Sequence, residues 1–181
     1  MEQPAIFLIT GIMAVGKSTV AQRLAERLPR SVHLRGDLFR RMIVNGQAPM
    51  GLELSPEAYA QLRLRYQLAI NTAKQYCAAG FTVVYQDIVI GPALADVVAQ
   101  LAGETLYVVV LCPTPEVIAE REAGRSKSGY SENFTPAAFD HLLRTETPPI
   151  GYWLDSSALS VDETVDAILA NLDQARISHT Q

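Results

Sequence analysis

The sequence predicts an α/β domain built around a central parallel sheet, and two observations carry that expectation. Short apolar runs alternate along the chain with stretches whose apolar residues recur at helical spacing, which describes strands covered by helices on both faces. At the first junction between such a run and such a stretch, Gly11, Gly16, Lys17 and Ser18 complete the pattern GxxxxGK(S/T).

The elements follow in order. Residues 5–10 form a continuous apolar run that suits a strand buried on both faces. From Lys17 the period changes: Val20, Ala21, Leu24, Ala25 and Leu28 make one helical stripe, which Pro29 closes. Residues 32–34 read as a brief second strand. Asp37 then stands at an N-cap position ahead of Leu38, Phe39, Met42 and Ile43, and Asn45 with Gly46 stops that helix. After a loop over 46–54, Ser55 as N-cap and Pro56 as first helical residue open a long helix with Tyr59, Leu62, Tyr66, Ala69, Ala73 and Cys77 on one face. Gly80 ends it.

Residues 81–85 are the third strand, which delivers Gln86 and Asp87 to its carboxyl end, and Leu94, Val97, Val98 and Leu101 mark the next helix. Residues 106–111 are the fourth strand. Thr114 and Pro115 open a helix that carries Ile118 and Arg121, and residues 124–135 after it are polar and without apolar period. A loop of about a dozen residues in a compact domain is usually functional or mobile. Thr135 and Pro136 begin the next helix, residues 152–154 are a fifth strand, and Ser160 with Glu163 is a capping box for the last helix. No internal repeat or second domain is visible, and residues 1–181 read as one domain.

Composition narrows the function. With 49% hydrophobic and 19% charged residues the chain is expected to be globular. The first residues lack the basic and apolar regions of a secretory signal, and the longest apolar run is far below the roughly 20 residues that span a bilayer, so a cytoplasmic protein with no membrane partner is expected. Cys77 and Cys112 have no metal-ligand spacing and read as buried thiols. Fifteen basic against nineteen acidic residues, with no basic stripe, argue against long nucleic acids as partners. The histidines stand at no triad or ligand spacing.

The glycine-bounded motif carries the chemistry. Residues Gly11, Ile12, Met13, Ala14, Val15, Gly16, Lys17, Ser18 and Thr19 lie between an apolar strand and an amphipathic helix, the context the motif requires. Such a loop wraps a polyphosphate with inward backbone N–H groups, and the helix N-terminus adds its partial positive charge. Lys17 would reach the terminal phosphates of ATP, and Ser18 would place a hydroxyl oxygen on Mg²⁺, a hard cation that prefers oxygen ligands. Asp37 follows the second strand on the same rim, suited to accept a proton from an attacking hydroxyl; a plain helix cap would look the same. Asp87, at the end of the third strand, could hold Mg²⁺ through water or orient a substrate, or be a turn residue. Arg121 and Arg125, four residues apart on one helix face, can aim two guanidiniums at one polyphosphate or be solvated. Arg40, beside Asp37, is read as a substrate contact or a surface charge.

With these residues the chain resembles the small P-loop kinases over nearly its full length, most closely the chloramphenicol phosphotransferase-like group. The matching pieces are residues 11–18, the Asp37 segment, the Asp87 segment, the pair Arg121 and Arg125, and the residues from Leu154 with Asp155. The resemblance implies a three-layer P-loop fold with five parallel strands in the order 2-3-1-4-5, Mg·ATP as donor, and Asp37 as catalytic base. It also implies that Arg121 and Arg125 lie at the lid, one near adenine and the other near the transferred phosphate, and that Asp155 borders the base. Gln86 stands where that group often has a second acid. Gluconate-kinase-like and adenylylsulfate-kinase-like enzymes share the plan, and the spacing of Asp37 and Arg40 is similar to that of the 5′-hydroxyl polynucleotide kinases.

The function expected is therefore phosphoryl transfer from ATP to a hydroxyl of a small molecule, an antibiotic or metabolite. The alternatives are a kinase of nucleic-acid ends, with Arg40, Arg41, Arg63 and Arg65 as a basic groove, and a regulatory ATPase. The acceptor pocket is expected to be lined by Met50, Leu52, Tyr59 and Tyr66, a mixture that suits an organic molecule better than a highly charged one, although the two tyrosines also read as plain core.

Overall fold

The computed structural model describes residues 3–51, 53–124 and 135–178. Five parallel strands, β1 (Ile6–Thr10), β2 (Ser31–Arg35), β3 (Thr82–Gln86), β4 (Leu106–Leu111) and β5 (Tyr152–Leu154), form one sheet in the order β2-β3-β1-β4-β5. Helices α1 (Lys17–Glu26), α2 (Asp37–Arg41), α3 (Pro56–Ala78), α4 (Pro92–Gln100), α5 (Pro115–Ala123), α6 (Pro136–Glu146), α7 (Val161–Ala170) and α8 (Leu172–Ala175) surround it. The architecture is the α/β sheet and strand order that the sequence and its resemblance imply. Every residue of β1, β3 and β4 is buried, as their unbroken apolar runs require once helices cover both faces.

Register brings the functional ends together. Ile6 pairs with Val83 on one side and with Leu106 on the other, and Ser31 pairs with Thr82, so the carboxyl ends of β1, β2 and β3 finish on one rim. Ligands in open parallel sheets sit on this rim. Gly11 lets the chain leave β1 there: its φ is +136°, and a Cβ would stand 2.4 Å from the carbonyl oxygen of Leu111. Only glycine accepts both the dihedral and the close approach.

Two departures from the sequence reading bear on the site. Strand β3 runs one residue further, through Gln86, so Asp87 is the first residue beyond it. Helix α2 is a short turn of helix that buries none of its residues; Leu38 and Met42, expected on its buried stripe, are exposed. Asp37 is its first helical residue and makes no capping bond; Gly36 precedes it with already helical dihedrals, φ −61° and ψ −32°. Ser55 does cap α3, accepting from the Ala58 N–H at 3.1 Å, and Ser160 with Glu163 forms the expected capping box. Both cysteines are buried free thiols, and burial pushes Cys77 up to about 11. No helix among the described residues is long and apolar enough to cross a membrane.

Candidate functional site

A cleft of about 530 Å³ opens on the rim where β1 and β3 end. One half is the glycine-bounded loop, with Met13, Ala14, Gly16, Lys17, Ser18 and Thr19. The loop turns tightly because two residues take left-handed dihedrals, Gly16 at φ +97° and Ala14 at φ +64°. A left-handed alanine costs on the order of 1–3 kcal/mol and persists where the surrounding structure imposes it. Lys17, almost wholly buried, donates from Nζ to the Ile12 carbonyl at 2.6 Å. Ser18 Oγ donates to Gln86 Oε1 at 3.1 Å. A hydroxyl that gives its proton to Gln86 keeps its lone pairs for a cation. Arg121 reaches over from α5, donating to the Val15 carbonyl at 3.1 Å and the Ser156 carbonyl at 3.2 Å, and so ties the loop to the segment after β5.

The other half is lined by Arg35, Asp37, Arg41, Arg65 and Asp87. Asp37 meets Arg41 Nη2 at 2.6 Å through Oδ2 and lies 3.6 Å from Arg35 Nε through Oδ1. With no capping bond to make, its carboxylate faces the same cleft as Lys17 and Ser18.

Asp87 is taken up by protein. Both of its oxygens meet Arg65, Oδ2 accepting from Nε at 3.0 Å and Oδ1 in contact with Nη2. The Tyr85 hydroxyl donates to Oδ2 at 3.2 Å and the Ile88 N–H to Oδ1 at 2.7 Å. This is the fork geometry in which guanidinium and carboxylate pair best, here with the Asp87 side chain wholly buried. Burial lowers the Arg65 pKa below its usual value. Both oxygens of Asp87 are thus engaged by Arg65 at the wall of the cleft.

Gly36 makes room for this pair. A Cβ there would stand 2.0 Å from Asp87 Oδ2, although its dihedrals suit any residue. Gly36→Ala is expected to lower stability by about 1–3 kcal/mol through overpacking, read as a lower denaturant midpoint. An unchanged midpoint would mean that the Asp87 carboxylate moves aside freely.

Other expected site residues are placed elsewhere. Arg40 turns away from the cleft and donates through Nη2 to the Ala48 carbonyl, where Gln61 also binds the loop by accepting from the Ala48 N–H at 3.0 Å. It braces a loop, and the position facing Asp37 belongs to Arg41. Asp155 Oδ1 accepts from the Ser157 N–H at 2.9 Å and from its hydroxyl, bonds that lower its pKa; it closes its own turn and does not line the cleft. Arg125 and most of the lid expected over 124–135 lie outside the described residues, as does Leu52. Of the expected acceptor lining, Tyr66 is buried and donates its hydroxyl to the Ile88 carbonyl at 2.6 Å, while Met50 and Tyr59 are exposed; none lines the cleft. Arg35, Arg41 and Arg65 stand there instead, and two of these, Arg41 and Arg65, are among the arginines expected to form a basic groove. Arg65 had a signal in the sequence: it lies three residues after Leu62 and four before Ala69, on the inward stripe of α3.

The fold and this loop are those of a P-loop kinase-like protein. The model of the AAA domain family matches residues 6–149, and the chain belongs to that family. No curated protein matches the sequence. Among solved structures, a sugar kinase from Janibacter sp. superposes with a TM-score of 0.72 at 16% identity, over 95% of this chain and 96% of that one. The tunicamycin resistance protein of Deinococcus radiodurans gives 0.69 at 16% identity, over 98% and 100%. A gluconokinase from Sinorhizobium meliloti gives 0.61 at 20% identity, over 96% and 94%. At such identities these likenesses speak for the fold.

Proposed function

We propose that this chain is a cytoplasmic kinase that moves the γ-phosphoryl group of ATP to a hydroxyl of a small molecule. One observation carries the reading: the Asp37 carboxylate faces the cleft that Lys17 and Ser18 line. In the transfer, the acceptor oxygen bonds to the γ-phosphorus as the bond to the bridging oxygen of ADP breaks, and Asp37 takes the hydroxyl proton. The transition state is loose, with its charge on the phosphoryl oxygens, so positioning and charge neutralisation do most of the catalysis. Lys17 supplies positive charge at the loop, Arg121 braces the loop, and Arg125 is the candidate for a second arginine at the phosphate.

The donor set fits Mg²⁺, which takes oxygen ligands and few of them from protein. Ser18 Oγ would hold it beside Gln86 Oε1, and the ion would supply charge to the phosphate oxygens. For a kinase of nucleic-acid ends the support is divided: Arg41 and Arg65 of the expected groove line the cleft, while Arg40, which carries the spacing likeness, braces the Ala48 loop.

The test is incubation with γ-labelled ATP and a library of sugars, sugar acids, nucleosides and antibiotics, with products read by mass spectrometry. A phosphorylated acceptor is expected. Label appearing only as inorganic phosphate, whatever the acceptor, would sink the kinase reading in favour of a regulatory ATPase.

A further inference from the structure

The acceptor half of the cleft holds more arginine than a neutral hydroxyl compound needs. Three guanidiniums line it, Arg35, Arg41 and Arg65, against two carboxylates, Asp37 and Asp87. Three positive charges against two negative leave one positive charge over. Lys17 and Arg121 stand outside this count, bonded to carbonyls of the phosphate loop. The surplus sits with Arg35 and Arg41, which share Asp37 and stay partly exposed to solvent, and its field favours an anion in the cleft.

Arg65 is mounted for recognition. Its pairing with Asp87 uses Nε and Nη2, and among the described residues Nη1 has no partner. The guanidinium plane is set by a carboxylate that the wholly buried Tyr85 and the Ile88 N–H both hold in place, with Gly36 close beside it. A pair needed only for stability would do as well facing away from the cleft, and buried ion pairs contribute little net stability. A rigid, planar donor at the wall of a reaction cleft suits a planar oxyanion.

We infer that the acceptor is itself an anion, a small hydroxylated molecule with one negatively charged oxyanion group such as a carboxylate. Arg65 receives that group while the acceptor hydroxyl lies toward Asp37. Asp87 is a positioning residue for Arg65. The inference rests on the kinase reading above, since it assigns the acceptor half of the same cleft, and it adds one negative charge to the organic acceptor that the sequence leads one to expect.

The experiment first fills the phosphate loop with Mg²⁺ and the non-hydrolysable analogue β,γ-imido-ATP, with binding followed by calorimetry. Glycolate, glycerate and gluconate are then titrated in, each against its uncharged counterpart, ethylene glycol, glycerol or sorbitol. The readout is the Nε–Hε resonance of Arg65, assigned from its loss in Arg65→Lys. At least one carboxylate is expected to shift that resonance saturably while its polyol does not. Arg65→Lys should weaken that carboxylate about 10- to 10²-fold, the range for hydrogen bonds to charged groups. Asp87→Asn should broaden the Arg65 resonance and weaken the carboxylate without changing the polyol. Should Arg65→Lys not fold, Arg65→Gln with Asp87→Asn removes both buried charges together and carries the same expected loss. An unmoved Arg65 resonance with all three carboxylates, or a polyol bound as tightly as its acid, overturns the inference and leaves the kinase reading standing. Failure of the nucleotide itself to bind overturns both, and is seen in the first step.

Discussion

Lys17→Met is expected to lower nucleotide turnover about 10²–10³-fold, the usual loss when one preorganised donor to a developing charge is removed. The ammonium lies at the mouth of the loop, nine-tenths buried and 2.6 Å from the Ile12 carbonyl. Methionine has a similar reach and volume and no charge. The folding cost should be modest: the Ile12 carbonyl loses a partner, a change worth about 1–3 kcal/mol. Two measurements separate the effects, steady-state turnover with saturating ATP and the denaturant midpoint. Turnover near that of the unchanged protein would remove the phosphate-loop assignment of residues 11–19. A collapse of the midpoint with proportional loss of turnover would make Lys17 a structural residue.

What the sequence showed plainly is what depends on neighbours along the chain. The phosphate loop was legible because its glycines, lysine and serine lie within eight residues and between a strand and a helix whose periods are unmistakable. Caps at Ser55 and Ser160 were legible for the same reason. Whether Asp37 caps its helix depends on backbone dihedrals that the sequence does not show: Gly36 is already helical, which moves Asp37 one place inward and leaves its carboxylate to the arginines of the cleft.

The acceptor half of the cleft was least legible, because it is made by contacts between distant segments. Arg65 and Asp87 lie 22 residues apart and meet only when α3 packs across the end of β3. An arginine on an inward helical stripe was the available sign. The choice between Arg40 and Arg41 turned on one residue, which on a helix is a rotation of about 100°. Arg41, at i+4 from Asp37, faces it, and Arg40 faces the Ala48 loop. Tyr66 reads from the sequence as an acceptor contact or as core, and it serves the core and the Ile88 carbonyl, with burial pushing its hydroxyl up to about 12.

Asp37→Asn should leave ATP binding intact and lower transfer to the acceptor about 10²–10⁴-fold, the range for a group that takes a proton in the transition state. The amide keeps the shape of the carboxylate and cannot accept that proton while holding its neighbours. The surroundings sharpen the expectation. Arg41 and Arg35 lose a negative partner in the variant, so the cleft becomes more positive, and a polyphosphate is favoured rather than repelled. A weaker ATP affinity therefore cannot explain lost transfer. Nor can a lost helix cap, since Asp37 makes no capping bond. Slow release of inorganic phosphate from ATP, which needs water and no acceptor, should fall less than transfer does. The measurement is the ratio of phosphorylated acceptor to free phosphate in the two proteins. Transfer at the unchanged rate would show that another group takes the proton, and equal losses of both products would assign Asp37 to holding the arginines in place.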